Sequence, residues 1–205
     1  MEIRFVYFDV GKVLFDFDYE PLFQKWQGFS HLEPSVFRSR ATDPELLHRY
    51  ERGEMETSAF FTEVADHLRL SMDPKSLEND WNSIFTPLEE HLAIGMKVSK
   101  QLPTGVISNI SEAHIRYLSR QTDFFRSVPA PTYSYTSGSR KPDAKIYHDA
   151  IAALNALPEC ALFIDDMEAN IGKAAEIGFQ TIHLQPKTNL RNELERNGLG
   201  WALEG

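Results

Sequence analysis

Short apolar segments alternate with amphipathic segments along most of the chain. Four apolar runs, each followed by turn or polar residues, have the length and pattern of buried strands. These runs are residues 5–8, 105–107, 161–164 and 181–184, with residues 133–135 as a weaker fifth. Between them, apolar residues at spacings of three and four, as in Tyr147, Ala150 and Leu154, predict helices. This alternation predicts an α/β fold with a doubly wound parallel sheet that helices cover on both faces.

The stretch from about residue 18 to residue 89 breaks the alternation, because it shows helix signals only. Asp43-Pro44 and Asp73-Pro74 are each typical of a helix N-cap followed by a proline in the first turn. We therefore expect a helical insertion, or cap, at residues 18–89, between the first strand and the rest of the sheet.

The remaining residues, 1–17 and 90–205, are expected to form the core that contains the sheet. Its last element is expected to be a helix after Pro186 that docks through Leu190, Leu194 and Trp201. With 42% hydrophobic and 25% charged residues, the 205-residue chain has the composition of a globular protein that buries a sizeable core.

Charge and cysteine content limit the classes of partner. The chain has 30 Asp and Glu against 21 Lys and Arg, a net charge of −9, which argues against nucleic-acid binding because that affinity depends on basic side chains. No apolar stretch approaches the roughly twenty residues that cross a bilayer, so no membrane partner is expected. The single cysteine, Cys160, cannot form an internal disulfide, and the start of the chain lacks a signal core, so the cytoplasm is the simplest compartment. We expect a monomer or homodimer that binds a small molecule.

Polar side chains end three of the predicted strands. Asp9 follows the first, Ser108 and Asn109 follow the second, and Asp165-Asp166 ends the third. The carboxyl ends of parallel strands are where α/β sheets bind ligands. Each segment also has a simpler interpretation: Asp9 in a turn, Ser108 in a turn or helix cap, and the acid pair as a helix cap.

A lysine from a loop completes the set. Lys141 lies in the segment Arg140-Lys141-Pro142, and on its own it is most simply a solvated loop residue. The adjacent carboxylates Asp165 and Asp166 repel each other, which raises the pKa of one of them unless a cation neutralises them. Three strand ends and one loop thus supply a carboxylate, a hydroxyl, a lysine and a carboxylate pair in one chain order.

This ordered set resembles the four motifs of the haloacid dehalogenase-like (HAD) hydrolase superfamily, including its helical cap after the first strand. The local sequences FDVG (8–11), ERGE (51–54), RKP (140–142) and IDD (164–166) are most similar to one branch. That branch contains bacterial sugar-phosphate and nucleotide phosphatases related to the phosphatase half of soluble epoxide hydrolase. The resemblance covers nearly the whole chain, from Asp9 to Asn170.

The resemblance implies Mg²⁺-dependent hydrolysis of small phosphate monoesters, such as sugar phosphates, through an aspartyl-phosphate. It makes Asp9 the nucleophile, Ser108 a hydrogen-bond donor to a phosphoryl oxygen, and Lys141 the cation that offsets the charge of nucleophile and phosphate. It places Mg²⁺ at Asp9, the backbone carbonyl of Gly11, and Asp166, with Asp165 in support.

Substrate-binding residues are expected beside this set and in the cap. Asn109 is adjacent to Ser108, and Arg52 and Glu54 are the cap residues that we expect to face the site. The cap would close over the substrate, exclude water and select the substrate.

One position departs from the family pattern. Phosphatases of the family usually have a second aspartate two residues after the nucleophile as general acid and base, and here that residue is Gly11. Losing a positioned general acid costs about 10²- to 10⁴-fold in rate. Asp16, Asp18 and Glu54 are the candidate substitutes, although each is also readily explained as a solvated surface acid.

Two other functions stay open at this point. A metal-independent 2-haloacid dehalogenase also lacks the second aspartate, but dehalogenases usually replace the first acid of the pair that is intact here as Asp165-Asp166. A catalytically weakened binding or regulatory protein of the same fold is the other alternative, because Gly11 removes the acid. The seven histidines show no zinc-ligand spacing with a cysteine.

Overall fold

A parallel five-stranded sheet organises the protein. The computed structural model describes residues 1–204. The strands are β1 (Phe5–Phe8), β2 (Phe15–Phe17), β3 (Phe85–Pro87), β4 (Thr104–Ser108), β5 (Thr132–Tyr133), β6 (Ala161–Asp165) and β7 (Gln180–His183). The large sheet has the order β5-β4-β1-β6-β7, and all of its neighbours pair in parallel. The predicted α/β fold with a doubly wound parallel sheet is confirmed.

Helices connect the strands and form the inserted segment. They are α1 (Glu20–Gln27), α2 (Pro34–Ala41), α3 (Pro44–Glu51), α4 (Thr57–Leu68), α5 (Pro74–Asn82), α6 (Glu89–Gln101), α7 (Glu112–Leu118), α8 (Phe124–Ser127), α9 (Ser134–Ser137), α10 (Ala144–Leu154), α11 (Glu168–Ile177) and α12 (Leu190–Arg196), with 3-10 turns at Pro158–Cys160 and Gly200–Leu203. Asp43 and Asp73 cap α3 and α5 as predicted, each accepting a backbone N–H bond. No helix within residues 1–204 is long and apolar enough to cross a membrane.

Alternation along β1 shows how the sheet buries both faces. Val6 and Phe8 belong to one apolar cluster and Tyr7 to another, and none of the three is accessible to solvent. Successive side chains of a strand point to opposite faces, so a strand buried on both sides reads as a continuous apolar run. The inserted helices have an aromatic core of their own that contains Trp26 and Trp81.

A short antiparallel ribbon joins the two ends of the inserted helices. β2 pairs with β3, with Phe17 opposite Phe85, and α1 to α5 lie between these two strands in the chain. The expectation of helix signals only between residues 18 and 89 is therefore wrong at β3. Each strand has only three residues, too few to show a periodic pattern, and their pairing depends on contacts distant in sequence. We propose that the core and the cap divide at this ribbon.

Two further sequence expectations need correction. The weak fifth strand is residues 132–133 only, and a short helix begins at Ser134, whose buried hydroxyl hydrogen-bonds the backbone of Ile110. At the C-terminal end, Leu190 and Leu194 are buried as expected, but Trp201 is 51% exposed.

A first prediction concerns the close approach of β4 to β1. A Cβ at Gly105 would lie 2.5 Å from Cδ1 of the buried Tyr7, so Gly105→Ala must displace that ring. We expect a loss of about 1–3 kcal/mol in the free energy of unfolding, measured with urea. The control is Gly172→Ala, in the exposed middle of α11 with no atom within 4 Å, which should be neutral or slightly stabilising. Equal stability of both variants would contradict the prediction.

Candidate active site

Three polar side chains meet where neighbouring strands of the large sheet end. Asp9 follows β1 directly, Ser108 is the last residue of β4, and Asp165 is the last residue of β6. β4 and β6 flank β1, and both pair with it in parallel. The three side chains therefore lie at the carboxyl edge, where open parallel sheets bind ligands.

Lys141 joins two of these strand ends through its ammonium group. Its Nζ lies 2.9 Å from Asp9 Oδ1 and 2.6 Å from Asp165 Oδ2, and only 1% of its side chain is accessible. Burial opposes the charged form, but the carboxylates of Asp9 and Asp165 outweigh it and raise the pKa of Lys141. The lysine is therefore a fixed buried cation between two acids, and not a solvated loop residue.

Asn109 holds the backbone of this lysine in place. Its Oδ1 accepts the Lys141 N–H at 2.7 Å, and its Nδ2 donates to the Lys141 carbonyl at 2.9 Å. Asn109 also lines the cavity, but its amide is engaged at both ends. The structure thus gives Asn109 a positioning contact where the sequence suggests substrate binding.

The two adjacent acids at the end of β6 have different surroundings. Asp165 is fully buried and accepts hydrogen bonds from the Met167 N–H at 2.8 Å, from Asn170 Nδ2 and from Lys141 Nζ. Asp166 is half-buried and lines the cavity. Asp165 is therefore suited to hold its neighbours in place, whereas Asp166 can contact a ligand.

Negative charge accumulates at this point. Asp9, Asp165 and Asp166 have carboxylate oxygens within 4.8 Å of one another. Burial raises the pKa of Asp9 to about 7, against the opposing effect of Lys141. Burial, with the charge of Asp165, also raises the pKa of Asp166. Three carboxylates around one ammonium group leave an uncompensated negative charge.

This donor set fits Mg²⁺. Mg²⁺ is a hard cation that binds oxygen ligands, usually one or two carboxylates together with waters. Asp9 and Asp166 both line the cavity, as does Gly11, so all three can contribute ligand atoms. A divalent cation would also relieve the repulsion among the three acids.

The cavity has a volume of about 220 Å³ and is mixed in character. The catalytic candidates form one side, and Phe17, Tyr19, Leu47 and Phe85 form much of the other. His114 also lines it, but burial lowers the pKa of His114 to about 3, and its Nε2 donates to the Trp81 carbonyl at 3.3 Å. This histidine is neutral and therefore unsuited to donate a proton.

The structure does not bring Arg52 and Glu54 to the cavity. They form an ion pair with each other at the exposed end of α3. Glu51, one residue earlier, lines the cavity instead, and its Oε2 accepts a hydrogen bond from Arg140 Nε at 2.8 Å. Leu47 and Glu51 are four residues apart in α3 and share a face. Counting by fours from the Asp43 cap would have indicated Glu51.

The aromatic ring of Phe17 lies where a side chain at position 11 would begin. A Cβ at Gly11 would be 2.8 Å from Cε1 of Phe17. Asp16 pairs with Lys12, Asp18 accepts the Glu20 N–H at 2.8 Å, and neither acid lines the cavity. None of the substitutes proposed from the sequence, Glu54 included, therefore reaches the position of the missing acid.

Solved structures of similar fold identify the fold of this chain. A HAD family enzyme from Bacteroides thetaiotaomicron, in complex with magnesium and inorganic phosphate, matches 93% of this chain and 98% of its own at a TM-score of 0.82 and 18% identity. The chain has the HAD fold. A predicted HAD-like family hydrolase from Porphyromonas gingivalis matches 96% of this chain and 98% of its own at a TM-score of 0.82 and 21% identity. The resemblance seen in the four motifs is confirmed.

More distant HAD structures and a curated relative complete the comparison. The L-2-haloacid dehalogenase of Xanthobacter autotrophicus matches 95% of this chain and 81% of its own, at a TM-score of 0.62 and 19% identity. A D-ribitol-5-phosphate phosphatase of B. thetaiotaomicron is 21% identical over 94% of this chain and 97% of its own length. No family model matches the sequence.

A second prediction tests the acidic cluster. Asp166→Ala should raise the melting temperature in EDTA, because it removes one of three mutually repelling acids. The same variant should lose the rise in melting temperature that we expect Mg²⁺ to produce in the unmodified protein, since a ligand that binds only the folded state stabilises it.

The matched control is Glu168→Ala, which removes an exposed acid two residues further along the chain. It should retain the full response to Mg²⁺. If Asp166→Ala responds to Mg²⁺ as the unmodified protein does, the cation does not bind at this cluster.

Proposed function

We propose that this protein is a Mg²⁺-dependent phosphatase that hydrolyses small phosphate monoesters through an aspartyl-phosphate on Asp9. The observation that carries the proposal is the placement of Lys141 between Asp9 and Asp165, with the half-buried Asp166 lining the same cavity. Similarity over nearly the whole chain to a sugar-alcohol phosphate phosphatase supports it. So does the likeness in fold to a HAD enzyme that binds magnesium and phosphate.

Asp9 is held as a nucleophile must be. Its Oδ1 accepts the Val10 N–H at 2.7 Å and lies 2.9 Å from Lys141 Nζ, so the carboxylate has a fixed orientation. A carboxylate nucleophile divides one difficult displacement into two easier ones. One carboxylate oxygen bonds to phosphorus while the ester P–O bond breaks. The alkoxide leaves with the bonding electrons and takes a proton from solvent water, because position 11 has no acidic side chain. Water then attacks the phosphorus of the aspartyl-phosphate and gives up a proton to solvent, while the bond between phosphorus and the Asp9 oxygen breaks, which releases inorganic phosphate and restores the Asp9 carboxylate.

The other residues act through position and charge. Ser108 is buried beside Asp9 and can donate its hydroxyl to a phosphoryl oxygen. Lys141 offsets the charge that nucleophile and phosphate bring together, and in phosphoryl transfer such electrostatic stabilisation dominates catalysis. Bound Mg²⁺, held by Asp9, Asp166 and the Gly11 carbonyl with Asp165 in support, would supply further positive charge to the phosphoryl oxygens.

The acidic cluster favours the phosphatase over the metal-independent dehalogenase. Dehalogenation by a carboxylate nucleophile needs no cation, so an uncompensated group of Asp9, Asp165 and Asp166 would only repel its anionic substrate. A Mg²⁺-dependent reaction uses the same negative charge to hold its metal.

A third prediction tests the nucleophile. Asp9→Asn should abolish phosphate release from monoesters in Mg²⁺, because the amide has nearly the same shape but cannot attack phosphorus. EDTA should abolish the activity of the unmodified protein, and 2-chloropropionate should release no chloride.

The control is Asp123→Asn, since Asp123 is exposed, pairs with Arg126 at 2.7 Å and does not line the cavity. Appreciable activity of folded Asp9→Asn would remove Asp9 from the nucleophile role. Chloride release in EDTA would favour the dehalogenase. A protein with neither activity would be the weakened binding protein.

A fourth prediction follows from the missing acid at Gly11. Without a proton donor, the rate should depend strongly on the leaving group, so phenyl phosphate should react on the order of a hundredfold or more faster than propyl phosphate. Gly11→Asp alone would push its Cβ against the ring of Phe17. Leucine at position 17 leaves room for that side chain. The double variant Gly11→Asp/Phe17→Leu should therefore reduce the ratio of the phenyl phosphate rate to the propyl phosphate rate, chiefly because propyl phosphate reacts faster.

The measurement is a plot of log kcat/KM against leaving-group pKa, with Phe17→Leu as the control. The Gly11 backbone lies outside the left-handed region, so the added side chain meets a steric obstacle and no backbone strain. A flat plot for the unmodified protein, with chemistry rate-limiting, would mean that another residue donates the proton.

A further inference from the structure

We propose that Glu51 and Arg140 together bind hydroxyl groups on the part of the substrate that does not carry the phosphate. The substrates would then be polyol or sugar phosphates. This inference rests on the proposed function only in placing the phosphate beside Asp9.

The two residues approach the cavity from different parts of the chain. Glu51 ends α3 among the inserted helices, and Arg140 immediately precedes Lys141 in the loop after α9. Arg140 Nε lies 2.8 Å from Glu51 Oε2, with 22% and 9% of the side chains accessible. Both line the same cavity as Asp9 and Ser108.

Stability alone does not explain a charged pair in this place. Taking two charges out of water has a desolvation cost that their attraction often fails to recover. Burial accordingly raises the pKa of Glu51, against the opposing effect of Arg140. Two apolar side chains of similar volume at these positions would stabilise the contact between α3 and the loop after α9 at least as well. The charges are therefore more useful to a ligand than to the fold.

The Glu51 and Arg140 side chains have polar atoms that form no hydrogen bond within residues 1–204. The Nε to Oε2 bond is the one hydrogen bond that either side chain makes within residues 1–204. Glu51 Oε1 and the terminal nitrogens of Arg140 make no hydrogen bond, and none of these atoms is fully buried. The cavity therefore presents a carboxylate acceptor beside guanidinium donors.

Adjacent hydroxyl groups match this arrangement. Each hydroxyl both donates and accepts, so one can donate to Glu51 Oε1 while its neighbour accepts from Arg140. The surrounding walls of Phe17, Tyr19 and Leu47 suit the C–H groups of a carbon chain. An alkyl chain without hydroxyls would displace water from the charged pair and leave its free atoms unpartnered, which is costly.

A second phosphate group is a poorer fit for the same position. Arg140 already has a carboxylate partner, so the pair carries no net charge, and the Glu51 carboxylate would repel a second anion. The geometry thus favours neutral hydroxyls over a bisphosphate.

The test compares ribitol 5-phosphate with pentyl phosphate, which have the same chain length. Binding decides the test, because the hydroxyl beside the ester makes the ribitol alkoxide a better leaving group and raises its kcat/KM independently of Glu51 and Arg140. Binding is measured by calorimetry in Mg²⁺ with the Asp9→Asn variant, which should not turn over, and kcat/KM is measured with the otherwise unmodified protein. We expect ribitol 5-phosphate to be preferred by about 10- to 100-fold in both measurements, as hydrogen bonds to charged groups provide.

Two changes should reduce this preference. Glu51→Gln keeps the shape and should reduce it about tenfold. Glu51→Met/Arg140→Met removes both charges without leaving one unpaired, and should bring the preference in binding to unity or reverse it. The matched control is Glu63→Gln, which breaks the exposed Arg49–Glu63 pair at 2.9 Å between α3 and α4, away from the cavity. It should leave the preference unchanged.

The outcomes separate this inference from the proposed function. If the Glu51 variants lose the same affinity for both ligands, the pair is a structural contact. If their preference for ribitol 5-phosphate over pentyl phosphate is unchanged, other residues bind the hydroxyls. Either result overturns the inference, as would equal binding of both ligands to the unaltered pair. A binding preference that depends on Glu51 in a protein without phosphatase activity would support the inference and reject the proposed function.

Discussion

A single buried ammonium group holds the carboxyl edge of the sheet together. Lys141 contacts Asp9 and Asp165, the residues at the ends of two neighbouring strands, and without it three carboxylates would meet with no internal cation. Removing one partner of such a buried group leaves an uncompensated charge, which is strongly destabilising. The backbone clamp of Asn109 on Lys141 and the hydrogen bonds that surround Asp165 both serve to keep this contact fixed.

The residues at this edge could be predicted from the sequence because their positions follow from local pattern. Asp9, Ser108 and Asp165 each follow an apolar run, and the ends of parallel strands meet whatever lies between them in the chain. The apolar runs themselves also predict the strands of the large sheet. Lys141 is different, because only its place in the ordered set of motifs distinguishes it from a solvated loop lysine.

The other side of the cavity was harder to predict, because it depends on helix phase and on contacts distant in sequence. Arg52 and Glu54 are one and three residues beyond Glu51, and that small displacement carries them around the end of α3 to solvent. Phe17 reaches the cavity through a three-residue strand whose partner lies beyond five helices. Trp201 has the size of a core residue, but the 3-10 turn directs its neighbours Ala202 and Leu203 inward instead.

Arg140 and Lys141 connect the two halves of the cavity through adjacent positions in one loop. Arg140 pairs with a carboxylate of the inserted helices, whereas Lys141 pairs with the carboxylates of the sheet. A ligand that alters the contact of Glu51 with Arg140 therefore acts one peptide away from the group that neutralises Asp9. Asn109 accepts the N–H of Lys141 and donates to its C=O, so the backbone of the lysine is fixed by a contact that does not involve the Arg140 side chain. Such an anchor keeps the ammonium group rigid beside Asp9 and Asp165, which is the arrangement that electrostatic preorganisation requires.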